Sequence, residues 1–227
     1  MKSTQIGIFL LFIVSFPSFA QTSSRVNAGL DIGTGYKDNA WAPSVLYHQE
    51  LSLNHFPWFR IGWGVRATGY YAGRTNLMPK DNALSRDTLE FGRLTANGVS
   101  FIAGANVRLW RFDIGANTDI VGIVFGLRRN GLYTKPGFSE GEGAKYYNAY
   151  VRSNPSTLNL LPLALDNQNG NSEVFVRYWI TDRIGVKLAY MTGRITYATE
   201  AKLDNGQKRF SKTYGIPNLS ISFPLYN

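Results

Sequence analysis

The segment His48-Gln49-Glu50-Leu51-Ser52 places an imidazole, a carboxylate and a hydroxyl at alternate positions. In an extended chain alternate side chains share one face, so the three groups point the same way. Histidine, glutamate and serine are the ingredients of an acyl-transfer site. Neighbours at that spacing stand about 6.5 Å apart, beyond direct hydrogen-bond reach. No nucleophile turn or oxyanion motif accompanies them. Catalysis by His48, Glu50 and Ser52 is therefore the alternative reading, and a non-enzymatic chain the favoured one. The second histidine, His55, lies beside Phe56, Pro57 and Trp58, and reads as an interface residue in a short turn. No metal-ligand cluster, phosphate loop or nucleotide motif occurs, so neither metal nor cofactor is expected. Gly33-x-Gly35 reads as packing inside a strand rather than as a nucleotide fingerprint.

Nine charged residues recur at alternate positions opposite apolar faces: Asp31, Glu50, Arg60, Arg66, Arg108, Asp113, Asp119, Arg177 and Lys187. The faces opposite them are almost free of charge. Groups of both signs turned into a narrow interior predict a packed network of ion pairs and hydrogen bonds, not an open pore.

The elements that would position these groups are eight strands with period-two alternation. They fall at about 25–36, 44–53, 58–72, 98–109, 111–125, 173–181, 183–197 and 212–226. In the first, Val26, Ala28, Leu30, Ile32, Thr34 and Tyr36 alternate with Asn27, Gly29, Asp31, Gly33 and Gly35. In the third, Phe59, Ile61, Trp63 and Val65 alternate with Arg60, Gly62, Gly64 and Arg66. Every second connection is short: residues 54–57, Trp110, and 181–183. The others, at about 37–43, 73–97, 126–172 and 198–211, are long. A soluble lipocalin-type barrel would turn its charged face outward, so the charges select a barrel that shows its apolar face to lipid. The expected fold is all-β, a closed antiparallel eight-stranded transmembrane β-barrel with short periplasmic turns and long surface loops.

The N-terminus agrees. Lys2 precedes an apolar run from Ile6 to Phe16, and Ser18-Phe19-Ala20 offers small residues at the cleavage positions. Residues 1–20 are expected to be a cleaved signal peptide and 21–227 one outer-membrane barrel domain. The apolar run is shorter than the roughly 20 residues a spanning helix needs. The chain has no cysteine, so an exported domain must hold together without disulfides, and barrel closure suffices.

These features, with Val26-Asn27-Ala28-Gly29-Leu30-Asp31-Ile32-Gly33 and the terminal Leu219-Ser220-Ile221-Ser222-Phe223, resemble the small eight-stranded outer-membrane barrels. The group includes the OmpA transmembrane domain, OmpX and the PorT-like barrels of the Bacteroidota. The resemblance covers the chain after residue 20. It implies the outer membrane of a Gram-negative bacterium, and an assembly signal near Phe223 and Tyr226 read by the barrel-assembly machinery. It implies, more loosely, a role in envelope biogenesis or secretion. It also supplies the precedent for the alternative, a lipid A-modifying acyl hydrolase or acyltransferase using His48, Glu50 and Ser52.

The net charge is +9, and the long loops carry basic residues such as Arg74, Arg93, Arg128, Arg129 and Arg152. Basic groups at an outer rim meet the phosphates of lipopolysaccharide, which accounts for the excess without nucleic acid. The 126–172 segment is too long to be a mere connector. Its Tyr146, Tyr147, Tyr150, Leu160 and Leu161 are the expected partner-binding surface, for an envelope protein or a surface ligand. Part of the segment should extend the flanking strands and part should fold as a lid, with Ser156 placed to cap a short helix.

Overall fold

The structure, a computed structural model, describes residues 26–79, 87–134, 146–160, 169–203 and 207–226. Within them the chain forms thirteen antiparallel strands. Eight are long: β1 (Val26–Lys37), β2 (Ala40–Ser52), β3 (Phe59–Ala72), β6 (Leu94–Leu109), β7 (Phe112–Phe125), β11 (Gly170–Trp179), β12 (Gly185–Thr199) and β13 (Arg209–Tyr226). Five are short: β4 (Thr75–Pro79), β5 (Thr88–Phe91), β8 (Arg129–Thr134), β9 (Ala149–Pro155) and β10 (Leu158–Leu160). Among the described residues no helix is long and apolar enough to cross a membrane.

The long strands pair in chain order, β1 with β2, then β3, β6, β7, β11, β12 and β13, and β13 pairs again with β1. The sheet is therefore ring-like. From Ile32 the register leads through Val45, Ala67 and Val99 to Ile123 on β7. The other way round it leads through Ile221, Val186 and Tyr178 to Phe112 on the same strand. That stagger is what tilted strands require when they wrap around an axis.

Thirteen strands rather than eight form because the segments expected to be loops also alternate and pair. β13 pairs at Phe210 with Pro79 of β4, β4 with β5, β5 with β8, β8 with β9, and β9 at Pro155 with Tyr197 of β12. A second, smaller ring thus sits on the first and shares the β12–β13 hairpin with it.

The two rings have opposite polarity. Around the larger one each strand shows an apolar residue outward: Ile32, Val45, Ile61, Val99, Ile114, Val174, Leu188 and Leu219, from 40 % exposed at Val99 to 63 % at Leu188. The residues between them turn inward and include most of the buried polar side chains, with Leu46, Phe175 and Met191 buried among them. In the smaller ring Leu77, Leu89, Phe91, Tyr133, Val151, Tyr197 and Phe210 are buried in one apolar cluster, while Asn76, Asn130, Tyr150 and Arg152 are exposed. Its core reaches down to Ala40, Tyr70, Ala96 and Ile216 at the mouth of the larger ring.

Three local features depart from the periodic reading. The β1–β2 connection is a two-residue turn and not a loop over 37–43. Asp38 and Asn39 both have positive φ, at 49° and 62°, the primed hairpin geometry that Asx residues tolerate, and pairing runs up to Lys37 with Ala40. On β7, Ile120 is an extra residue: Val121 pairs with Phe101 and Asp119 with Ile102. The bulge inverts the phase, so Asp119 is buried while Val121 and Ile123 are exposed. Ser156 caps no helix; its backbone N–H donates to Thr196 O and the chain continues into β10.

Candidate functional site

The interior of the larger ring is a continuous polar network to which every long strand contributes. β-alternation carries Asp31 (β1), His48 and Glu50 (β2), Arg60 and Arg66 (β3), Arg108 (β6), Asp113 and Asp119 (β7), Glu173 and Arg177 (β11), Lys187 (β12) and Ser222 (β13) inward. All but Arg108, whose side chain is a third exposed, are buried.

Arg177 is the hub. Its Nη2 lies 3.1 Å from Asp31 Oδ2, and its Nη1 lies 3.2 Å from Glu50 Oε1 and 3.3 Å from Asp113 Oδ2. Nε donates to Ser222 Oγ at 3.1 Å. Ser222 in turn donates to Asp31 Oδ1 at 2.6 Å. Toward the short turns, Arg108 grips Asp113 with two bonds, of 2.6 and 2.9 Å. Trp179 Nε1 donates to the same carboxylate at 2.7 Å, and Arg60 lies 3.3 Å from Glu50. Toward the smaller ring, Lys187 Nζ joins Asp31 at 2.9 Å to Glu173 at 2.8 Å. Arg66 meets Asp119 at 3.4 Å and Glu173 at 3.5 Å, and donates to Asn117.

Five cations (Arg60, Arg66, Arg108, Arg177, Lys187) thereby face five carboxylates (Asp31, Glu50, Asp113, Asp119, Glu173). The balance is complete with His48 neutral. Charges taken out of water are stable only when paired and hydrogen-bonded, and this set meets both conditions. Voids between the side chains are about 20 Å³ beside Glu50 and Lys187, and about 30 Å³ beside Arg60 and Trp179. Each is the size of a water molecule rather than of a substrate. The interior is too narrow for larger side chains: a Cβ on Gly29 would lie 2.7 Å from His48 Nε2.

The structure brings His48 and Glu50 together but leaves Ser52 apart. His48 Nδ1 is 3.3 Å from Glu50 Oε1, within ion-pair range but outside hydrogen-bond geometry. Its Nε2 is 3.6 Å from Asp31 and 3.1 Å from Arg177. Among the described residues no hydrogen bond joins Ser52 to either partner, and Ser52 faces Arg60 across the strand pair. Glu50 and His48 are held by arginines, and the Ser222 hydroxyl within the network serves Asp31.

Several members of the network are absent from the nine charged residues read as lining the interior. Glu173 has a signal in the sequence, since it shares the polar face of its strand with Arg177. Asn159 and Asn171 have none. Asn159 Nδ2 donates to Asp119 Oδ2 at 2.7 Å and to Ser100 Oγ at 2.6 Å, and the Asn171 backbone N–H donates to Asp119 at 2.9 Å. Asn159 reaches this position because three-residue β10 pairs with β7 beyond the bulge, which no periodicity announces.

The loop residues expected to bind a partner are dispersed. Tyr146 packs against the apolar cluster of the smaller ring. Tyr147 is 40 % and Tyr150 73 % exposed. Leu160 is half-buried at the end of β10. Leu161 lies outside the described residues, as does the 1–20 segment.

No family model matches the chain, and no curated protein matches it. Among solved structures the chain is similar to a major outer membrane protein from Thermus thermophilus, at 8 % identity and a TM-score of 0.42, over 88 % of this chain and 99 % of that one. It is also similar to Neisserial surface protein A, at 12 % identity and a TM-score of 0.35, over 87 % of this chain and 94 % of that one.

Proposed function

We propose that this chain is a non-enzymatic β-barrel of a Gram-negative outer membrane. Its eight long strands close around a plugged polar lumen, and it acts as an envelope structural and interaction protein through the surface it raises above the membrane. The observation that carries the reading is the reversal of polarity between the two rings. A circumferential apolar belt has no stable place in water, whereas lipid requires it. The smaller ring, apolar inside and polar outside, suits water. The boundary between them marks the outer membrane surface, and the turns at Phe56–Trp58, Trp110–Arg111 and Thr181–Arg183 fall on the periplasmic side.

Cations gather at that boundary. Lys37, Arg93, Arg152 and Lys212 are exposed, and Arg74 and Arg128 are exposed in ion pairs with Glu90 and Glu200. Such a collar favours lipopolysaccharide phosphates as the first partner, with an envelope protein meeting the exposed Tyr147 and Tyr150 as the second. Phe223 and Tyr226 at the end of β13 are the residues the assembly machinery would read.

Because the chain has no cysteine, single cysteines report topology directly. Tyr150→Cys is expected to react with a membrane-impermeant maleimide on intact cells, and Ile221→Cys to remain unlabelled until the membrane is dissolved. Equal labelling of both on intact cells would defeat the reading.

A further inference from the structure

Two side chains of the larger ring, each more than nine-tenths buried, line one void and carry a polar atom with no hydrogen-bond partner. They are His48, at Nδ1, and Asn106, at Oδ1. The void is about 20 Å³, and its walls come from β2, β3, β6, β7, β11 and β12. A single water needs about 10–15 Å³ of such space and two to four polar partners.

The void exists because glycines interrupt the inner face. Glu50 of β2, Gly62 of β3 and Gly104 of β6 form one cross-strand row, and two of the three have no side chain. His48 and Asn106 stand one inward position to either side of that row. A Cβ on Gly104 would collide with Ala116 O, whereas one on Gly62 would meet nothing closer than Gln49 O at 3.4 Å. The wall is hollow at Gly62.

The hydrogen bonds fix what His48 offers to this space. Arg177 Nη2 lies 3.1 Å from His48 Nε2, and a guanidinium can only donate. Nε2 is therefore the acceptor, and the ring proton sits on Nδ1. Its carboxylate neighbour Glu50 Oε1, at 3.3 Å, is out of hydrogen-bond geometry. The void thus has an unpaired donor on one side and an unpaired acceptor on the other.

That pairing selects the occupant. Arg177 and Lys187 both line the void, so a cation is repelled. Glu50 also lines it, and the five cations and five carboxylates already balance, so an anion would add an uncompensated charge. An apolar guest would leave both atoms unpaired. We propose that the void binds one neutral, water-sized hydrogen-bonding molecule, which accepts from His48 Nδ1 and donates to Asn106 Oδ1. Bound so, it joins β2 to β6 and holds His48 in the Nδ1–H tautomer. The remaining lone pair, on Nε2, is committed to Arg177, so the ring has none to offer as a general base.

The test is nitrogen NMR of the isotope-labelled full chain, folded in detergent micelles, reading the His48 ring with water as the probe. The wild type is expected to show a proton on Nδ1, a bare Nε2, and magnetisation transfer from the Nδ1 proton to a bound water. Gly62→Ala places a methyl in the void without a clash and should abolish that transfer. Asn106→Leu removes the acceptor and should abolish it too. Ile61→Ala, on the outer wall, should keep it. A proton on Nε2, no transfer in the wild type, or transfer that persists in Gly62→Ala would overturn the proposal. The Gly62→Ala result decides the matter even where Asn106→Leu does not fold.

Discussion

At the scale of residues, the network is a set of unequal partners, and its energetics follow from how many carboxylates each cation holds. Arg177 touches Asp31, Glu50 and Asp113. Removing it takes a cation from each of three buried carboxylates, which keep Lys187, Arg60 and Arg108 in turn, and leaves the set one positive charge short; breaking a buried pair costs about 3–5 kcal/mol. Arg108 serves only Asp113, which keeps Arg177 and Trp179. Urea unfolding in lipid vesicles should therefore place Arg177→Met several kcal/mol below the wild type and well below Arg108→Met; equal losses would mean the hub has no special role. His48 is surplus to the charge balance. His48→Gln is expected to change stability by less than about 1 kcal/mol, and to leave the acyl chain count of lipid A, read by mass spectrometry, unchanged. An altered lipid A would revive the acyl-transfer reading of His48, Glu50 and Ser52.

The strand and turn scale explains where sequence reading stopped. All eight long strands are legible because one face must be apolar and the other polar over ten or more residues. The bulge at Ile120 is not, because one inserted residue leaves both flanking patterns intact and only cross-strand pairing locates the slip. The tight turn at Asp38-Asn39 is hidden for a different reason. Its neighbours Ala40 and Ala42 are buried in the apolar cluster of the smaller ring, so the strand ends lose the polar inner face that defined them. The positive φ of Asn39 yields a test. Asn39→Val forces a β-branched residue into the left-handed region, a loss of roughly 1–2 kcal/mol, whereas Asn39→Gly should be close to neutral. Midpoints from vesicle unfolding check both, and identical behaviour would argue against the primed turn.

At the scale of the whole molecule, two rings of opposite polarity share one hairpin, and each predicts its own response to the same insult. An arginine at Val176, on the belt of the larger ring, should destabilise by about 2–4 kcal/mol if it sits near the bilayer midplane. An arginine at Tyr150, on the smaller ring, should change stability by less than about 0.5 kcal/mol. Folding yield into vesicles measures the contrast, and similar losses would deny that the polarity reversal marks a membrane surface. The proposed plugged lumen makes a further claim: single-channel recordings should show no steady conductance for the wild type, because the voids beside Glu50 and Arg60 are only about 20 and 30 Å³.

The sequence by itself determined the sheet class, the position of the long strands, and which charges share a face. These follow from period two, a local property that survives whatever the chain pairs with. The tertiary structure alone decided that Arg177 gathers three carboxylates, that Asn159 reaches Asp119, and that the long loops close a second ring with an apolar core. Those outcomes depend on register and on strands distant in sequence meeting around an axis. A short alternating segment such as Thr88–Phe91 carries too little pattern to name its partner. It becomes a strand only because β4 and β8 stand on either side of it.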